Sequence, residues 1–133
     1  ILILPATAIG FLSVAVLNLN NMRDEASDRK SGKNTLVVKM GIENAKKYHY
    51  FLIVGAMFLV VLFAILSGFH FDQYLFLFAY IPLVKHVITV RKNQNSKLLD
   101  PELKKVALST FALSVLLALC MIFFFSDLIV NNS

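Results

Sequence analysis

The sequence predicts an all-α fold, a polytopic membrane bundle of four transmembrane helices. Three observations predict it. Hydrophobic residues make up 58% of the 133-residue chain and charged residues 16%, a balance that suits a bilayer-embedded protein rather than a soluble domain. Crossing a hydrocarbon core of roughly 30 Å takes about 20 apolar residues in a helix, and the chain offers that length four times. All 13 Lys and Arg residues fall in two groups, one after the first of those lengths and one around the connection between the third and fourth, as they do when both connections lie on one side of a membrane.

The first span covers about residues 1–19, and Pro5 near its start is easily tolerated there. The chain opens Ile1-Leu2-Ile3-Leu4 without Met, and no basic segment or small-residue cleavage site marks it as a signal peptide. It therefore reads as a piece of a longer protein. The second span covers about 48–67, with Tyr48, His49 and Tyr50 reading as an interfacial belt at its edge. The third, about 71–90, carries Pro82 as a predicted kink and is interrupted by Lys85 and His86. Lys85 lies roughly 7 Å from the cytoplasmic end at 1.5 Å per residue, within snorkelling reach of the headgroups; contact with an aromatic acid's carboxylate is the alternative. His86 reads as interfacial and His70 as part of an outer turn. The fourth span covers about 106–125, behind Asp100-Pro101-Glu102, which reads as a cap and first turn with Pro in the first helical position. Cys120, alone in an apolar run, excludes a disulfide framework and reads as inert packing.

Charge sets the orientation. The turn 68–72 and the tail 126–133 contain no Lys or Arg, so the positive-inside rule puts connections 20–47 and 91–105 in the cytoplasm and both chain ends outside. Basic residues so placed face the anionic leaflet. The net charge of +5 thus signals a lipid bilayer, not nucleic acid.

The connection 20–47 is longer than a helix turn needs, and long ordered connections tend to be functional. If the first helix continues past the membrane surface, Asn20, Asp24 and Asp28 are four apart and share a face. Two carboxylates roughly 6 Å apart on one face repel more strongly in a partly dry cleft, and a shared cation compensates. Mg²⁺ fits best, because it is a hard ion that takes carboxylates together with substrate phosphate oxygens and water. Arg23, Arg29, Lys30 and Lys33 surround the acids, a setting for a diphosphate. Gly32 permits the turn out of the helix. The plain alternative is a pair of solvated acids matched to neighbouring bases. A P-loop is excluded, since Asn34 stands where Ser or Thr is needed and Ser27 where the first Gly belongs.

The full string N-N-x-R-D-x-x-x-D-x-x-x-G-K-x-T-L-x-x-x-x-G, from Asn20 to Gly41, resembles the second aspartate-rich motif of the UbiA superfamily of prenyltransferases. Its details are most similar to the branch that prenylates 1,4-dihydroxy-2-naphthoate in menaquinone biosynthesis. Similar residues extend over 15–18, 36–41, 44–48 and 82–85. The resemblance implies a Mg²⁺-dependent membrane enzyme, the four spans being the last four of nine around a central cavity. It implies Asp24 and Asp28 as catalytic metal ligands, with Asn20, Asn21, Arg23 and Lys33 holding the diphosphate. The donor would be a polyprenyl diphosphate, the acceptor an aromatic acid, and the location a bacterial cytoplasmic (inner) membrane. The family's first aspartate-rich motif is missing, so this stretch alone is expected to be inactive. Rival acceptors are 4-hydroxybenzoate and homogentisate; the rival class is a transporter or structural subunit, whose polar groups belong near the bilayer midplane.

Overall fold

The computed structural model describes residues 1–130, and residues 131–133 of the expected outward tail lie outside them. Five α-helices follow in order: α1 (Ile3–Lys30), α2 (Leu36–Met40), α3 (Ile42–Ser67), α4 (Tyr80–Lys92) and α5 (Asp100–Val130). Short 3₁₀ turns cover Phe71–Gln73, Leu75–Ala79 and Ser96–Leu99. No strand occurs among the described residues. Four helical stretches, Ile3–Lys30, Ile42–Ser67, Phe71–Lys92 and Ser96–Ser126, are long and apolar enough to cross a membrane, as the hydropathy pattern predicts.

Each long helix buries one stripe and leaves the rest apolar and open. On α1 the buried stripe is Ala8, Leu12, Ala15, Leu19 and Met22; on α3 it is Ala45, Ile53, Ala56, Val60 and Ala64. Exposed residues such as Leu17, Phe51, Phe58, Ile65, Phe111 and Ile122 would be costly in water but carry no penalty in an apolar setting such as lipid tails. Since lipid is as apolar as leucine, helices associate through close packing of small residues and through hydrogen bonds. Both devices are present. Ala8, Ala15, Ala45, Ala56 and Ala64 are fully buried, and a Cβ on Gly55 would meet the Phe11 ring at 3.2 Å. The Asn18 amide donates to the Ala45 carbonyl at 3.0 Å, and the Tyr80 hydroxyl donates to the Met57 carbonyl at 2.7 Å. Ser109, Thr110 and Ser114 on α5 return their hydroxyl protons to carbonyls four residues back, which satisfies them without leaving the helix.

The third span departs from a plain helix. Its first part consists of the two 3₁₀ turns, and only from Tyr80 does it become α-helical. Pro82 falls near the start of the α-helical part. It occupies the first turn of α4, where its missing N–H has no intrahelical acceptor to lose. Eight 3₁₀ residues at about 2 Å and thirteen α residues at about 1.5 Å still reach roughly 35 Å.

Two histidines read as interfacial are not. His49 and His86 are fully buried at 0% and 1% exposure. Their Nε2 atoms lie 2.8 Å apart, and His86 Nδ1 lies 2.7 Å from Glu102 Oε2. Lys105 donates to the other Glu102 oxygen. This row ties α3, α4 and α5 together, and Glu102, in the first turn of α5 as the sequence predicts, is buried at 3% exposure. The helix it belongs to also begins a residue early: Asp100 is itself helical (φ −58°, ψ −46°) and Pro101 follows it. Lys85 is exposed while its neighbour His86 is buried. Cys120 is buried with a free thiol, as its apolar surroundings predict.

Candidate active site

The first helix continues through the polar motif to Lys30 without a break, so the stretch read as a loop is helical for its first eleven residues. Asn20, Asp24 and Asp28 are therefore held on one face by helix geometry. The helix closes with a Schellman turn at Gly32 (φ +73°). Lys33 N–H donates to the Asp28 carbonyl at 2.9 Å and Gly32 N–H to the Arg29 carbonyl at 3.3 Å. That turn brings the chain back over the helix end, and Lys33 Nζ lands 2.9 Å from Asp28 Oδ1. Thr35 then caps α2 by accepting from Val38 N–H. Gly41, at φ +80°, joins α2 to α3 in a conformation closed to other residues.

Arg23 is the hub. Its Nε and Nη2 donate to the two oxygens of Asp24 at 2.9 and 3.0 Å, and Nη2 also reaches Asn20 Oδ1 at 2.9 Å. Nη1 crosses to Asp100 Oδ1 at 2.7 Å. Asn20, rather than Asn21, thus joins the guanidinium. Asp28 is 6% exposed and paired with Lys33, whose pKa is raised by its hydrogen bond to that carboxylate and by the carboxylate's charge. Arg29 does not join the two acids as the sequence suggested; its guanidinium is taken by Glu25, one turn back, at 2.8 and 2.6 Å. Three predicted residues, Asn20, Arg23 and Asp24, therefore form one contact set together with Asp100, with Asp28 and Lys33 a second set one turn on.

A cleft of about 640 Å³ opens beside the hub. Arg23, Asp24 and Ser27 line one wall, and Asn95, Lys97 and Asp100 the other. The donor set available to a metal is carboxylate and amide oxygen, without thiolate or imidazole, which fits Mg²⁺. Among the described residues no group of three or more His, Cys, Asp or Glu is arranged to hold a metal. Of the two predicted carboxylates Asp24 lines this cleft and Asp28 does not, so a Mg²⁺ here would take most of its ligands from water and substrate, its usual habit.

The family model for the UbiA prenyltransferase family matches residues 1–101. The chain belongs to the UbiA prenyltransferase family. Its UbiA-family relatives include the 1,4-dihydroxy-2-naphthoate octaprenyltransferases of Escherichia coli (strain K12), 42% identical, and of Haemophilus influenzae, 37% identical, each over 118 residues. Both alignments cover 89% of this chain and 38% of the relative. The UbiA prenyltransferase domain-containing protein 1 of Dictyostelium discoideum is 30% identical over 111 residues, 80% of this chain and 32% of that protein. The chain thus spans well under half the length of the curated relatives it matches. No solved structure gives a significant match.

Sequence reasoning missed the second wall of this cleft. Asp100 read as a helix cap, and nothing in the spacing of a residue 77 positions from Arg23 announces a shared cleft. The one available signal was an unpaired acid at the start of a helix on the same side of the membrane as the motif.

Proposed function

We propose that the protein to which this chain belongs transfers a polyprenyl group from its diphosphate to 1,4-dihydroxy-2-naphthoate, with Mg²⁺, at the cytoplasmic face of a bacterial inner membrane. The observation that carries the reading is the placement of Asp24 and Asp28 one turn apart on α1, each beside a cation, in a chain of this family. Naphthoate as acceptor draws support from the names of the two bacterial relatives. The orientation rests on the distribution of all 13 basic residues.

In this reading Asp24 and Asp28 hold the metal, directly or through water. Mg²⁺, when bound, neutralises the leaving diphosphate as charge develops on it. Arg23 and Lys33 serve the same anion: a guanidinium fork and a compact ammonium suit phosphate oxygens. Both cations already sit on the acids, so a bare metal meets repulsion while a metal arriving with its diphosphate brings the anion they require. Asn20 holds the plane of the Arg23 fork. The allylic C–O bond breaks, its electron pair leaving with the diphosphate, and the prenyl cation is taken by the electron-rich ring carbon that bears the carboxyl group, which departs as carbon dioxide. Apolar helix walls keep water from the cation.

The test is the full-length protein assayed with farnesyl diphosphate, Mg²⁺ and a panel of aromatic acids. Asp24→Ala and Asp28→Ala should each lose about a hundredfold or more in rate, the scale of losing a group that stabilises a developing anion. Wild-type rates in both variants would refute the site, and turnover with 4-hydroxybenzoate alone would refute the acceptor.

A further inference from the structure

Resting on that reading, we propose that Asp100, on the other cytoplasmic connection, is a positioning residue of the diphosphate site. It holds one edge of the Arg23 guanidinium and so fixes the direction of the other edge, which rests on Asp24.

The need for such a residue follows from helix geometry. Neighbours at i and i+1 diverge around a helix and do not face one another, so an Arg23–Asp24 fork on α1 requires the long side chain to bend back toward its own neighbour. Something must hold it there. The guanidinium is planar, with its donors in fixed directions, and three acceptors around its rim define its orientation: Asp24 on the Nε and Nη2 edge, Asn20 on Nη2, and Asp100 on Nη1. Only Asp100 among these comes from another helix.

Asp100 is itself well placed to do this. The 3₁₀ turn Ser96–Leu99 leads directly into it. Leu99 is buried at 1% exposure, and Asn95 caps the turn by accepting from Lys97 N–H at 3.1 Å. The turn is thereby anchored to the bundle, and Asp100 starts α5 at the edge of the cleft. The 2.7 Å contact spans the mouth of the cleft that Asp24 also lines. When a diphosphate takes the Asp24 edge of the fork, Asp100 still holds the other edge, so Arg23 presents a fixed pair of donors to the anion instead of a swinging chain.

A structural tie between α1 and α5 would use the same contact, and the experiment separates the two roles. In the full-length protein, initial rates are measured for wild type, Asp100→Asn, Asp100→Glu and Asp24→Ala over ranges of farnesyl diphosphate, Mg²⁺ and acceptor, alongside thermal unfolding in detergent. For a pair that is partly exposed, with 29% of the Arg23 and 70% of the Asp100 side chain accessible, Asp100→Asn should raise KM for the diphosphate about fivefold. Acceptor KM and kcat should change less than about twofold, and Asp100→Glu should recover most of the loss. Unchanged diphosphate KM in Asp100→Asn, or an equal rise in acceptor KM together with a lower unfolding temperature, overturns the positioning role. If Asp24→Ala is inactive and Asp100→Asn behaves as wild type, this inference alone fails; if Asp24→Ala is fully active, the site reading fails and takes the inference with it.

Discussion

Replacing Glu102 by alanine should destabilise the bundle more than replacing Lys105, its exposed partner at the polar seam. The carboxyl group lies 2.7 Å from His86 Nδ1, and a carboxylate there accepts from the ring N–H. Glu102 and His86 are buried at 3% and 1% exposure, and His49 beyond them at 0%. Alanine leaves the His86 N–H without an acceptor, a loss of about 1–3 kcal/mol for a buried group. Polar contacts between membrane helices average nearer ~0.6 kcal/mol, because the unfolded chain in lipid also finds partners. The two scales bracket an expected loss of about 2 kcal/mol. Lys105 provides the internal comparison. Its amine bonds the same carboxylate but 58% of its side chain is accessible, so Lys105→Ala should cost under ~1 kcal/mol. Glu102→Gln keeps an oxygen for His86 and should fall between them. Unfolding of the full-length protein in detergent micelles by a denaturant series ranks the three variants. If Glu102→Ala costs no more than Lys105→Ala, the buried row contributes nothing and this account of the seam is wrong.

Gly41→Ala forces an alanine to φ +80° and should lower stability by about 1–2 kcal/mol by the same unfolding measurement, whereas Gly10→Ala, with open space at its Cβ, should not. Thr35→Ala removes the cap of α2 and should cost about 1 kcal/mol, seen as faster amide exchange over Leu36–Met40. The raised pKa of Lys33 means that its pairing with Asp28 is complete below the ordinary lysine value of 10.5 and is lost only as pH rises through the higher folded value. Amine-reactive labelling near pH 9.5 should therefore be slower at Lys33 in wild type than in Asp28→Asn; equal rates would contradict the pairing. A cysteine introduced at Ser31 should react with impermeant reagents only from the cytoplasmic side, and labelling from outside would reverse the orientation.

Sequence alone determined the class, the number of spans and the residues of the motif. Each follows from quantities the chain carries locally: apolar length sets a span, charge placement orders the connections, and the four-residue spacing of Asn20, Asp24 and Asp28 sets a shared helix face. Gly32 marked the end of α1 for the same reason, since its left-handed turn is a property of one residue.

What needed the tertiary structure was every relation between residues far apart in the chain. His49 and His86 look interfacial one at a time, because a polar residue near a span end normally faces headgroups. Only the packing of α4 against both α3 and α5 sets His86 between His49 and Glu102, where polar contacts within the bundle stand in for the headgroups. Pro82 looks like a kink until the 3₁₀ turns before it make it a first-turn residue. Asp100 looks like a cap until α1 and α5 are laid side by side and Arg23 is found reaching it. Spacing along a helix is periodic and legible, but which helix lies opposite is decided by the packing of the whole bundle. The second wall of the cleft belongs to that packing.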